Sequence, residues 1–163
     1  MMLGKDTDAS QPDLSTVSKI RDLFLHPHAT YAPVEAAEAI GMSFEDIRGW
    51  IEVGELEGIE SHGGIVLPWE ELVSFAMDFW EQEDIEAALG AEVAEALPEL
   101  LRLADLEVRI PRMEVVALER LAARDGKSVD TVLARELRDL VSAQSDWLAT
   151  EIPGFTAALA WPY

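Results

Sequence analysis

The chain has 163 residues, of which 49% are hydrophobic, and its 32 acidic side chains against 12 Lys and Arg give a formal net charge of −20. That is enough apolar content to bury the core of one ordinary domain or two small ones, and the absence of cysteine excludes disulfides, cysteine-ligated zinc, iron–sulfur clusters and thiol catalysis. No apolar run approaches the roughly 20 residues of a membrane span, and Met1–Pro12 is polar with no apolar signal core, so a soluble cytoplasmic protein with no membrane partner is expected.

Residues 1–15 read as a flexible leader rich in Gly, Asp, Ser, Gln and Pro. Val17–Leu25 fits a short helix with Ile20, Leu23 and Phe24 on one side, and Pro27 stops it. Pro33 suits the first position of the next helix, where its missing N–H costs nothing. Val34, Ala36, Ala37 and Ile40 supply the apolar face, and Gly41 is a natural C-terminal stop. Ser43 can cap a following helix, with Asp46 three residues on and Ile47, Trp50 and Ile51 at i, i+3, i+4. Gly54 ends that helix. Leu56 and Ile59 lead into the turn Ser61-His62-Gly63-Gly64, Ile65-Val66-Leu67 returns as a strand, and Pro68 opens a helix over Trp69–Phe75.

The order over residues 16–80 is therefore helix, turn, helix, hairpin, helix. Tyr31-Ala32-Pro33-Val34-Glu35-Ala36-Ala37, Gly41-Met42-Ser43, Trp50-Ile51, Gly54-Glu55-Leu56 and Leu67-Pro68-Trp69-Glu70-Glu71-Leu72 resemble the excisionase-type, MerR-like winged helix-turn-helix. The resemblance implies DNA contacts from the second helix and the hairpin wing, where Arg48 and His62 are the candidates. The remaining positions there depart from the family's basic residues. The helix reads Phe44-Glu45-Asp46-Ile47-Arg48-Gly49 and the hairpin Glu60-Ser61-His62-Gly63-Gly64, and acids facing phosphate would repel it.

Residues 81–105 read as an acidic helical linker, divided by Gly90 and Pro98. Beyond it the texture changes. Leu106-Glu107-Val108-Arg109-Ile110-Pro111 alternates apolar and polar as a one-face-buried strand does, with Pro111 at its end. Met113, Val116, Ala117 and Leu121 line a helix closed by Asp125-Gly126. Ser128 caps another, with Val129, Val132, Leu133, Leu137, Leu140 and Val141 on one face. Strand, helix, helix over residues 106–142 is too little chain to bury its own core, and a lone strand leaves its backbone groups unpaired. Two copies pairing their strands antiparallel about a two-fold axis remove both problems, so a homodimer is expected.

Val108-Arg109-Ile110-Pro111, Leu118, Leu121-Ala122, Gly126-Lys127-Ser128 and Val132-Leu133 through Leu137 resemble the ribbon-helix-helix family of DNA-binding proteins. The resemblance implies a two-stranded ribbon in the major groove, with Arg109 and Glu107 reading bases. It implies that Lys127, Ser128 and Val129 hold a phosphate at a helix start, with Arg112 and Arg124 adding backbone contacts. The dimer core would be Leu106, Val108, Ile110, Leu121, Val132, Leu133 and Leu137. The fold class expected is mainly α: an N-terminal winged helix-turn-helix with a small hairpin, a helical linker, and a C-terminal ribbon-helix-helix that dimerises through an intermolecular antiparallel ribbon.

The charge follows the same division. Residues 31–105 carry nineteen acids against Arg48 and Arg102, a net −17, whereas residues 106–142 balance seven acids with seven Lys and Arg. The repulsion of nucleic acid expected from −20 thus falls mainly on the first module.

The tail, residues 143–163, continues the last helix through Ser145-Asp146-Trp147-Leu148 and breaks at Pro153-Gly154. Its base-free aromatic character fits either folding back on the body or docking a partner through Trp147, Phe155, Trp161 and Tyr163. His26 and His28 flank Pro27 without a third ligand at metal spacing, and Glu81, Glu83, Asp84 and Glu86 lack the glycine-bearing loop of a calcium site. No nucleophile motif or phosphate loop is present. Neither metal, cofactor nor enzymatic activity is expected. Tandem modules of DNA-regulator type resemble antitoxin or autorepressor architecture, which implies a homodimeric transcriptional regulator, operator DNA as a partner, and a basic protein such as a toxin as a second. The competing reading is an acidic protein-interaction adaptor that keeps DNA-binding folds without binding DNA.

Overall fold

In the computed structural model, which describes residues 13–162, capping chemistry sets the first helix. Helix α1 (Leu14–Leu25) begins where the Asp13 carboxylate accepts from the Thr16 N–H at 2.8 Å. Helix therefore starts inside the stretch expected to be leader, because Asp13 satisfies a first-turn donor; the rest of that leader lies outside the described residues. Helix α1 buries Ile20, Leu23 and Phe24.

Helix α2 (Pro33–Ile40) starts at its proline, and the Glu35 carboxylate accepts from the Ala32 N–H at 2.8 Å. It ends at Gly41, whose φ of +82° is the left-handed conformation that glycine adopts without steric cost. Helix α3 (Phe44–Glu52) is capped by Ser43, whose Oγ accepts from the Asp46 N–H at 3.1 Å while donating to the Asp46 carboxylate at 2.6 Å. Strands β2 (Ile59–Ser61) and β3 (Gly64–Pro68) form the expected hairpin, with Glu60 opposite Ile65. Gly58 permits the close approach beside it, since a Cβ there would collide with Ile65 Cγ2. An unforeseen two-residue strand, β1 (Thr30–Tyr31), pairs antiparallel with the other side of β3, with Tyr31 opposite Leu67, giving the sheet order β1-β3-β2.

Helix α4 (Trp69–Phe79) runs one turn beyond its expected end and buries Leu72, Val73 and Ala76. Trp69 ties it to α1 through an indole N–H donated to the Leu23 carbonyl at 2.9 Å. Helix α5 (Gln82–Leu89) and the turns after it occupy the stretch expected to link two modules. They pack as part of the first body instead: Ile85, Ala88, Leu89 and Leu97 are buried, and α5 lies on α1. Arg21 of α1 fastens this edge, donating to the Ala88 carbonyl at 3.0 Å and pairing with Glu92. A short helix α6 (Val93–Ala96) follows.

The described chain divides into two compact units, up to Leu103 and from Ala104 to Trp161. The second contains α7 (Arg112–Asp125) and α8 (Val129–Ala143), packed as a hairpin, then α9 (Ser145–Glu151) and α10 (Phe155–Ala160). The tail does not continue α8: the chain leaves helical geometry at Gln144 (φ −112°, ψ 13°) before α9 begins. Gly154, at φ +82°, sets the break before α10. The fold is mainly helical with one small three-stranded antiparallel sheet. No described helix is long and apolar enough to cross a membrane.

Candidate nucleic-acid interface

Glu107 and Arg109 lie in residues 103–111, which form neither helix nor strand in the single chain. The strand expected at Leu106–Pro111 is absent there for a simple reason: among the described residues no second strand lies beside it to complete a ladder. Both side chains are exposed. The alternating apolar positions between them are also open to water: Leu106 is 75% exposed, Val108 50% and Ile110 37%.

At the turn between α7 and α8, Gly126 takes the left-handed conformation (φ +64°) and the Lys127 N–H donates to the Ala122 carbonyl at 3.0 Å. Ser128 caps α8 as expected, accepting from the Thr131 N–H at 3.0 Å, and Val129 is the first helical residue. The exposed Ser128 and Lys127 thus sit at a helix start, where free N–H groups and the helix dipole favour an anion. Arg112 is the first residue of α7 and is exposed, a position where a neighbouring negative charge relieves an unfavourable cation–dipole contact. Arg124 is already engaged: its Nε donates to Asp125 at 2.8 Å, with a second, longer contact at 3.4 Å. That hydrogen bond, reinforced by charge, raises the Arg124 pKa and holds the Asp125 carboxyl below its ordinary value.

The first unit offers less. Arg48 lies between Glu45 at 3.0 Å and Glu52 at 3.3 Å on the same helix, so its charge is spent locally. His62 is exposed at the hairpin tip, and His28 stacks on Tyr31 with ring centroids 5.3 Å apart. Among the described residues, no three His, Asp or Glu side chains gather in metal-binding geometry.

Of the residues expected in a dimer core, Val132 is buried and Leu133 half-buried within the unit, while Leu121 and Leu137 are 39% and 42% exposed. Trp147 on α9 is 60% exposed; Phe155 and Trp161 are half-buried, and Tyr163 lies outside the described residues. A feature not foreseen from sequence is a groove of about 310 Å³ in the first unit, lined by Trp50, Phe75 and Phe79 together with Glu55, Glu71 and Asp78. Comparison with protein-family models, curated proteins and solved structures finds no match to this chain.

Proposed function

We propose that the chain is a homodimeric DNA-binding transcriptional regulator whose base-reading element is the segment Leu106–Pro111, paired with the same segment of a second copy as a ribbon-helix-helix. The reading rests on one observation: this segment presents Leu106, Val108 and Ile110 to water in strict alternation with Glu107 and Arg109, ahead of two helices that bury only Ala122 and Val132. A second copy gives that apolar row a core and the backbone a partner. The outward row is then a pair of Arg109 side chains flanked by Glu107, with Lys127 and Ser128 placed for phosphate at the start of α8. The neutral balance of residues 106–142 favours this part of the chain for DNA over the acidic remainder. An antitoxin that represses its own promoter is the form of regulator this arrangement fits best. The winged helix-turn-helix likeness of α2 to α4 belongs in this reading to a scaffold whose surface charge turns away from the duplex.

The test is a fluorescence anisotropy titration of the full chain with the DNA upstream of its own reading frame, at low and physiological salt. Binding is expected to weaken steeply with salt, and Arg109→Ala to weaken it by about 10-fold or more, as for loss of a bidentate arginine–guanine contact worth roughly 1–3 kcal/mol. Unchanged binding by Arg109→Ala would remove the ribbon as the reader. No binding even at low salt would favour the adaptor, a reading supported by the local neutralisation of Arg48.

A further inference from the structure

We propose that the groove between α3 and α4 receives an arginine side chain from a basic partner polypeptide. Part of the lining is aromatic. Trp50 and Phe75 have ring centroids 5.7 Å apart with planes at 59°, and Phe75 and Phe79 lie at 6.2 Å and 13°. Trp50 is 40% and Phe79 47% exposed, so both residues stay in contact with water. The lining is also acidic: Glu55 follows α3, while Asp78 and Glu71, the latter already accepting from the Glu57 N–H at 3.2 Å, lie on α4. On α4, Glu71, Phe75, Asp78 and Phe79 fall at i, i+4, i+7 and i+8, one stripe distinct from the Leu72, Val73 and Ala76 face that fills the core.

Each half of this lining narrows the occupant. Carboxylates in the lining disfavour an apolar partner, whose approach would strip them of water. Aromatic faces disfavour an anion and attract a cation through the ring quadrupole. A guanidinium satisfies both, because its flat face stacks on a ring while its edge offers five N–H donors to carboxylates. The volume, about 310 Å³, is at the lower end of ligand sites and admits a side chain rather than an element of structure. Among the described residues, no Lys or Arg lines the groove, and the arginine of α3, Arg48, is held by Glu45 and Glu52. The net −17 of residues 31–105 supplies long-range attraction for a basic chain. This site lies wholly in the first unit and is independent of DNA reading by residues 106–142.

Full-length protein is titrated into a fluorescein-labelled arginine–alanine repeat peptide, and into the same peptide with citrulline for arginine. The arginine peptide is expected to bind and to shift the Trp50 indole N–H resonance, whereas the citrulline peptide loses both effects. Phe79→Ala, and Phe79→Leu as a variant that keeps apolar bulk, are each expected to weaken binding roughly 2- to 5-fold without any change in net charge. Asp78→Asn is expected to weaken it comparably. The paired change Glu95→Gln and Glu99→Gln, exposed acids outside the groove, measures net charge alone and is expected to have a smaller effect than Asp78→Asn. Failure of the wild-type chain to bind at low salt overturns the proposal, as does full binding by both Phe79 variants. Equal weakening by the Glu95 and Glu99 pair overturns it in favour of diffuse attraction. Promoter binding by Phe79→Ala should match wild type, so the two proposals fail separately.

Discussion

In residues 13–103, six helices and three strands bury seventeen hydrophobic side chains, from Ile20 to Leu97; in residues 104–161, four helices bury two, Ala122 and Val132. The second unit does not lack apolar residues. It exposes Leu106, Val108, Met113, Leu121, Leu137, Leu140 and Trp147 instead. Apolar surface left in water costs about 25 cal/mol per Å², so a hairpin of this composition carries an unmet demand, whereas the first unit, although it also exposes Leu14, Val53 and Ile59, buries most of its apolar side chains internally. The first unit is self-sufficient in its core. The second is, by the proposal above, half of one.

The largest way to break that contrast is to place a charge on the exposed row. Ile110→Asp is expected to convert a dimer to a monomer in sedimentation equilibrium and to melt α7 and α8, because an unpaired carboxylate buried in a shared core costs several kcal/mol, roughly 3–5. If Ile110 instead remains in water, the substitution costs within about 0.5 kcal/mol and the mass is unchanged. A null result of that kind would make the two units alike in standing alone.

A core deletion in the first unit probes the other side. Leu89 is fully buried on α5, and Leu89→Ala is expected to cost about 2–5 kcal/mol in the urea unfolding of the first unit. The second unit's association, read from the same sedimentation experiment, should persist. Loss of less than about 1 kcal/mol would return α5 to the status of an external connector.

What the residues disclosed in advance follows the range of the interactions involved. Caps and stops act within a few positions, so Ser43, Ser128, Gly41 and Gly126 mark helix ends that the structure reproduces, and the Ser61–Gly64 turn marks the hairpin. Packing between distant segments leaves no such local trace. The pairing of Thr30 and Tyr31 with Pro68 and Leu67 is too short for a periodic signal, and the apolar face of α5 looks the same whether it meets α1 or solvent. The groove was illegible for the same reason: Trp50 and Phe75 lie on different helices, and only the meeting of α3 with α4 makes one surface of them. Arg109 and Lys127 stand out as basic positions in the sequence, but their acting together depends on a second copy, which one chain's periodicity does not position.

The smallest effect offers the finest comparison, because among the described residues each unit has an aspartate held below its ordinary pKa by a different device. Asp13 accepts the Thr16 backbone N–H at the start of α1, while Asp125 accepts from the Arg124 side chain. A carboxyl whose folded pKa is depressed adds stability above its unfolded value, near 3.8, and that contribution disappears as pH falls through the lower folded value. Both groups lie at the surface, so solvent screens the effect and the useful readout is the titration itself, by carboxyl ¹³C chemical shift. Arg124→Ala is expected to return Asp125 toward its ordinary value and leave Asp13 unchanged. Operator DNA should act on Asp125 as that substitution does, since an Arg124 drawn to phosphate no longer donates to its neighbour. Asp13, fixed by backbone, should not respond. If Asp125 keeps its depressed pKa when DNA is added, Arg124 stays with its neighbour, and the phosphate contacts proposed for the turn reduce to Lys127 and the start of α8.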